Sequence, residues 1–114
     1  MEVNKETENK IAQLQMLEQN IQNFLVQKQT FQTQLIEVDN ALEELDKSKD
    51  KSYKIIGAIM VAADKEDLKK ELNSKKEILY LRIKSIEKQE NQLKEKASSL
   101  QSEVLNQIKN KDEK

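Results

Sequence analysis

The chain has 114 residues, of which 36% are charged, with 20 basic against 21 acidic side chains, one glycine, four aromatics and no proline, cysteine or histidine. Without cysteine or histidine there is no disulfide, no thiolate nucleophile, no histidine general base and none of the common zinc ligand sets. The length fits one domain, residues 1–114, and the composition suits long amphipathic helices better than a packed globule.

Residues 1–9 are polar and carry no capping box, so a first helix is expected over 4–47 with a frayed start. From Lys10 the spacing becomes regular. Leu14, Leu17, Ile21, Phe24, Phe31, Leu35, Val38, Leu42 and Leu45 follow one another in steps of three and four, and only Lys10 and Lys28 interrupt the series. That is a heptad stripe sustained long enough to argue for a coiled coil. The polar run 46–52 breaks it. Its oxygens are spaced a little like a calcium loop, but Lys51 stands where the tight-turn glycine belongs and Gly57 where the bidentate glutamate belongs, so no metal is expected.

Residues 52–63 then read as a β-hairpin. Gly57 is the sole glycine and supplies the positive φ of a two-residue turn with Ala58. Ile56 then faces Ile59 and Ile55 faces Met60, and these pairs point to opposite sides of the ribbon, so both faces are apolar. A lone hairpin is marginal in water and its free edges invite further strands, so the missing sheet is expected from other subunits. A buried helix-to-helix connector is the competing reading of the same run.

A second helix is expected over 64–110, with Asp64 as N-cap and Glu66 and Asp67 in its first turn. Its stripe is Leu72, Leu79, Ile83, Ile86, Leu93, Ala97, Leu100 and Val104, with Lys69, Lys76 and Glu90 at the remaining seam positions. The residues after Asn106 are expected to fray. If the chain doubles back at the hairpin, one register satisfies both stripes: Leu42 meets Leu72, Leu35 meets Leu79, Phe31 meets Ile83, Ile21 meets Leu93 and Leu14 meets Leu100. The same register sets Lys28 near Glu90, and an ion pair is expected there. The fold class is therefore mainly α: a long antiparallel two-helix coiled coil joined by a single β-hairpin that assembles with other subunits.

Other functions are excluded by what is missing. One glycine cannot form a phosphate-cradling loop, and carboxylates such as Glu43 and Glu44 lie on a solvated helix face with no cleft, so no enzyme and no cofactor are expected. Lysine doublets on the second helix are diluted by glutamates, which argues against nucleic acid. The longest apolar stretch, residues 55–63, falls far below the roughly 20 residues of a membrane span, and the first residues lack a secretory-signal layout; no membrane association and a cytoplasmic location are expected.

The residues 26–35 (VQKQTFQTQL), 41–45 (ALEEL), 53–57 (YKIIG), 63–66 (ADKE) and 87–90 (EKQE), in this order around a single hairpin, strongly resemble the β subunits of archaeal prefoldin. The resemblance covers nearly the whole chain. Ala58 departs from the Gly-Asn turn associated with those subunits. The resemblance implies an ATP-independent chaperone, a holdase, built as a hexamer of two α-class and four β-class subunits. Its hairpins form a β-barrel platform, its coiled coils capture unfolded client polypeptides at their tips, and the clients pass to a group II chaperonin. On that basis Tyr53, Ile55, Ile56, Gly57, Ile59, Met60 and Val61 are assigned to subunit assembly, with the Tyr53 hydroxyl at the wet edge of the barrel. Ile11, Leu14, Met16, Leu17, Leu100, Val104, Leu105 and Ile108 are assigned to client binding; of these, Leu14, Leu17, Leu100 and Val104 also fit as the last layers of the seam. Ile36, Ile78 and Leu81, off the stripe, are expected to pack beneath the platform. A structural coiled-coil tether or spacer without clients is the alternative function.

Overall fold

A computed structural model describes residues 4–49 and 51–112. The elements run α1 (Lys5–Lys47), β1 (Ser52–Ile56), β2 (Ile59–Ala63) and α2 (Lys65–Asp112). The residues gather into two compact units, one made of the chain up to Lys28 and from Ser85 onward, the other of Gln29–Lys84.

In the unit of residues 29–84, β1 and β2 pair antiparallel with Ile56 opposite Ile59, Ile55 opposite Met60, Lys54 opposite Val61, Tyr53 opposite Ala62 and Ser52 opposite Ala63. The turn between them is Gly57-Ala58. Gly57 has φ +60° while Ala58 is not left-handed. Positive φ at the first central position only, with glycine there, is the pattern of a type II′ turn, which matches the right-handed twist of the strands. Ala58 is therefore tolerated, because the backbone asks for an unusual conformation only of its neighbour.

The helical parts of this unit bury one stripe each. Val38, Leu79 and Ile83 are buried, and Phe31, Leu35, Leu42, Leu45 and Leu72 are half-buried. These are the heptad positions, since only a three-four spacing keeps successive side chains on one side of a 3.6-residue helix. The lysines at seam positions bend their ammonium groups toward carboxylates on α1: Lys69 to Asp46 at 2.6 Å and Lys76 to Asp39 at 2.6 Å. Each hydrogen bond holds its lysine above the ordinary lysine range, and that to Lys69 holds Asp46 below the ordinary carboxylate range. Arg82 lies 5.7 Å from the centre of the Phe31 ring, over its face, a cation–π placement that also covers the edge of the seam.

Both helix ends near the hairpin are capped. The carboxylate of Asp64 accepts from the Glu66 amide at 3.3 Å, so the expected N-cap is present and α2 begins one residue later than expected. Lys65 donates to the Ser48 carbonyl at 2.9 Å, closing the C-terminus of α1, where cations are favoured.

The other unit pairs the first half of α1 with the second half of α2. Ile86 and Val104 are buried and Ile21, Phe24, Leu93, Ala97 and Leu100 are half-buried. The expected Lys28–Glu90 pair is present but loose. Lys28 lies 4.0 Å from Glu90 Oε2 and 3.8 Å from Glu87, and Glu90 takes its close partner from its own helix, Lys94 at 2.8 Å. Intrahelical reach across one turn wins because Glu90 and Lys94 stand on the same face four residues apart.

The end segments expected to fray are helical over their described residues, from Lys5 and as far as Asp112. Asn4 accepts from the Thr7 amide at 2.8 Å and caps α1, and the buried Thr7 hydroxyl donates to the Gln107 side-chain carbonyl. The helix α2 runs on to Asp112. A side-chain cap and a polar layer replace the apolar contacts that these end segments lack.

Candidate functional site

Two surfaces expose apolar side chains that are not covered by the described residues. The first is the hairpin. Along β1 and β2, alternation sends Ile56, Ile59 and Val61 to one side and Tyr53, Ile55 and Met60 to the other. All six are open to solvent, with exposures from 44% to 69%. Strands in a finished sheet bury at least one face, so this ribbon is an unfinished one. Its only charged member, Lys54, is drawn into an ion pair with Glu71 on α2, which ties the base of the hairpin down and leaves its tip projecting. The Gly57 turn has open space where a side chain would stand; the glycine is required by its φ alone.

Beneath the hairpin, Tyr53 and Ile55 join Ala41, Leu45, Leu68 and Leu72 in lining an open recess. Leu68 belongs to this recess and was absent from the sequence-based stripe. Its spacing of four before Leu72 was the available signal.

The second surface lies at the start of α1 and the end of α2. The eight residues assigned there from sequence divide by burial. Met16 and Leu105 are 68% and 59% exposed, whereas Val104 is only 8% exposed and belongs to the seam. Ile11, Leu14, Leu17, Leu100 and Ile108 are half-buried, each presenting one edge to solvent. Lys10 bridges this region by ion pairs to Glu6 at 3.6 Å and Glu103 at 3.3 Å.

A groove of about 860 Å³ runs along one side of this unit. Its apolar wall consists of Met16, Leu17, Leu93 and Leu100, and its polar wall includes Gln13, Asn20, Gln92, Ser99 and Lys96. Ile11, Val104, Leu105 and Ile108 are not part of it. The amides and hydroxyl offer both donors and acceptors to an extended polypeptide backbone, beside the charged Glu95, Lys96 and Glu103, and the thioether of Met16 adapts to different side chains. Asn20 and Gln92 escaped the sequence reading, because polar residues flanking a seam carry no periodic signal.

Among the described residues no group of three or more metal-ligating side chains is clustered, and no helix is long and apolar enough to cross a membrane. The shifted groups, Asp46, Lys69, Lys76 and Glu90, are all partners in ion pairs along the helices, not members of a cleft.

The chain is similar to known proteins over most of its length. A family profile described as "Prefoldin subunit" matches residues 8–111. The prefoldin subunit beta of Archaeoglobus fulgidus is 38% identical over 107 residues, covering 92% of this chain and 92% of that protein. The prefoldin subunit beta of Caldivirga maquilingensis is 36% identical over 98 residues, covering 84% and 81%. In the crystal structure of the prefoldin beta subunit from Thermococcus strain KS-1 the backbone superposes with a TM-score of 0.86 at 29% identity, over 92% of this chain and 94% of that one. Since the match spans both helices and the single hairpin, the chain belongs to the prefoldin subunit family, in its beta class.

Proposed function

We propose that this chain is a β-class subunit of a hetero-hexameric prefoldin with two α-class and four β-class subunits, acting in the cytoplasm as an ATP-independent holdase. Neighbouring subunits complete the sheet begun by β1 and β2, forming a barrel platform. The ends of α1 and α2 remote in sequence from the hairpin hold unfolded polypeptides and hand them to a group II chaperonin. The observation that carries this reading is the exposure of apolar side chains on both sides of the hairpin: a soluble protein keeps such a patch only for a partner. Support for client capture comes from Met16 and the groove it helps to line.

The test separates assembly from capture. Met16→Ser combined with Leu105→Ser removes the two exposed apolar side chains without touching the seam. Mixed with an α-class prefoldin subunit, this variant is expected to sediment as the hexamer and to lose suppression of aggregation of a chemically unfolded protein. Full suppression by the variant would place the client contact elsewhere. A wild-type chain that stays a monomer or dimer with the α-class subunit and suppresses nothing would support the tether.

A further inference from the structure

In the unit of residues 29–84 the outward sides of the two helices differ in charge. Over residues 29–47, α1 carries five carboxylates and one lysine; over residues 65–84, α2 carries seven basic residues and four carboxylates. Part of this difference is used within the chain, at Asp39–Lys76 and Asp46–Lys69. What remains faces outward. Glu37 and Glu44 on α1, and Lys70 and Lys75 on α2, are exposed and make no ion pair among the described residues. Each charged strip surrounds apolar side chains that the seam does not use: Ile36 on α1, and Ile78 and Leu81 on α2, from 49% to 68% exposed.

The levels of these residues also agree. Asp39 opposite Lys76 and Asp46 opposite Lys69 fix how the helices stand beside each other. In that alignment Ile36 is at the height of Ile78, Glu44 at the height of Lys70, and Glu37 within a turn of Lys75. Glu66 and Asp67, within a turn of Lys70, and Glu77, beside Ile78, run against the pattern.

We propose that these two faces are the halves of a lateral contact between copies of this chain. Ile36 of one copy packs on Ile78 and Leu81 of the next, and Glu37 and Glu44 of the first meet Lys75 and Lys70 of the second. The occupant is a second copy because the chain supplies both halves. Each is complementary in charge to the other and repelled by itself, which makes the contact heterologous, with α1 of one copy always on α2 of its neighbour. It rests on the reading that hairpins join edge to edge, since that pairing brings copies to equal height with neighbouring helices antiparallel. A contact of this polarity gives the ring a direction and braces the helices where they leave the platform.

The absence of native cysteine makes the test direct. Full-length Ile36→Cys and Ile78→Cys variants are assembled with an α-class prefoldin subunit and treated with a short bismaleimide. The mixture of the two is expected to give a cross-linked dimer, and either variant by itself is not. Adding Glu44→Lys to the first lowers the yield several-fold, and adding Lys70→Glu to the second restores it. An assembly of full size by sedimentation without cross-linking in the mixture, or with equal cross-linking of each variant alone, overturns the lateral contact and leaves the hairpin assembly standing. Failure to assemble at all overturns both.

Discussion

At the scale of single residues, Glu90 shows how a polar group is kept in an apolar seam. It is buried, one carboxylate oxygen bonded to Lys94 and the other without a hydrogen bond, 4.0 Å from Lys28. The Lys94 hydrogen bond, helped by the charges of Lys28 and Lys94, holds its carboxyl below the ordinary value of 4.5 against the opposing effect of desolvation. The folded state therefore binds this proton less readily than the unfolded chain does. Its contribution to stability is complete above the ordinary value and disappears as pH falls through the lowered, folded one. Thermal melts of wild type and Glu90→Gln are expected to differ at pH 7, with the wild type higher, and to draw together as the pH falls below the ordinary glutamate value and through the lowered, folded one. Parallel curves across that range would mean that Glu90 is not held ionised by its neighbours. Lys28 is the weaker partner, at the limit of ion-pair distance from both Glu87 and Glu90. Replacing it with leucine is expected to raise the melting temperature, since a desolvated lysine with no close partner yields to an apolar side chain in the same layer. A lower melting temperature for Lys28→Leu would show that the pair is tighter in solution than its distances suggest.

At the scale of elements, the hairpin depends on one backbone angle. Gly57 at φ +60° sits in space where an added methyl group would meet no atom within 4 Å, so Gly57→Ala isolates the conformational cost, about 1–2 kcal/mol for an L-residue forced left-handed. Denaturant titration of the assembled protein is expected to register that loss per subunit, while Ala58→Gly changes little. Equal effects at the two positions would mean that the turn is not of the type II′ pattern. The helices depend on many positions, each replaceable. Their seam is read out by spacing alone, and their ends are fixed by caps: Asp64 on Glu66, which its residue type announced, and Asn4 on Thr7 and Lys65 on the Ser48 carbonyl, which the sequence reading missed.

At the scale of the whole molecule, the seam side chains are covered within the chain, whereas the two-stranded sheet leaves apolar side chains exposed on both faces. The two should separate under mutation. Ile59→Lys with Ile56→Lys places charges on an exposed face of the ribbon, and sedimentation is expected to show loss of the oligomer while the helical circular-dichroism signal persists. If helix is lost together with assembly, the seam buries too little to stand without its neighbours, as in obligate oligomers whose protomers have no separate stability.

Heptad spacing, one glycine and a run of β-branched residues were sufficient for the sequence to specify two helices, their antiparallel register, the hairpin and its cross-strand pairs. Each of these follows from the fixed periods of backbone geometry, 3.6 residues in a helix and two in a strand. The stripe from Leu14 to Leu45 and that from Leu72 to Val104 are covered along their length for this reason. The tertiary structure alone decided which long side chains meet. Glu90 prefers Lys94 to Lys28, Thr7 finds Gln107 a hundred positions away, and of the apolar residues near the chain ends Met16 and Leu105 stand out while Val104 turns in. Such choices depend on rotamers and on competition among several partners within reach, and no repeat in a one-dimensional sequence encodes them.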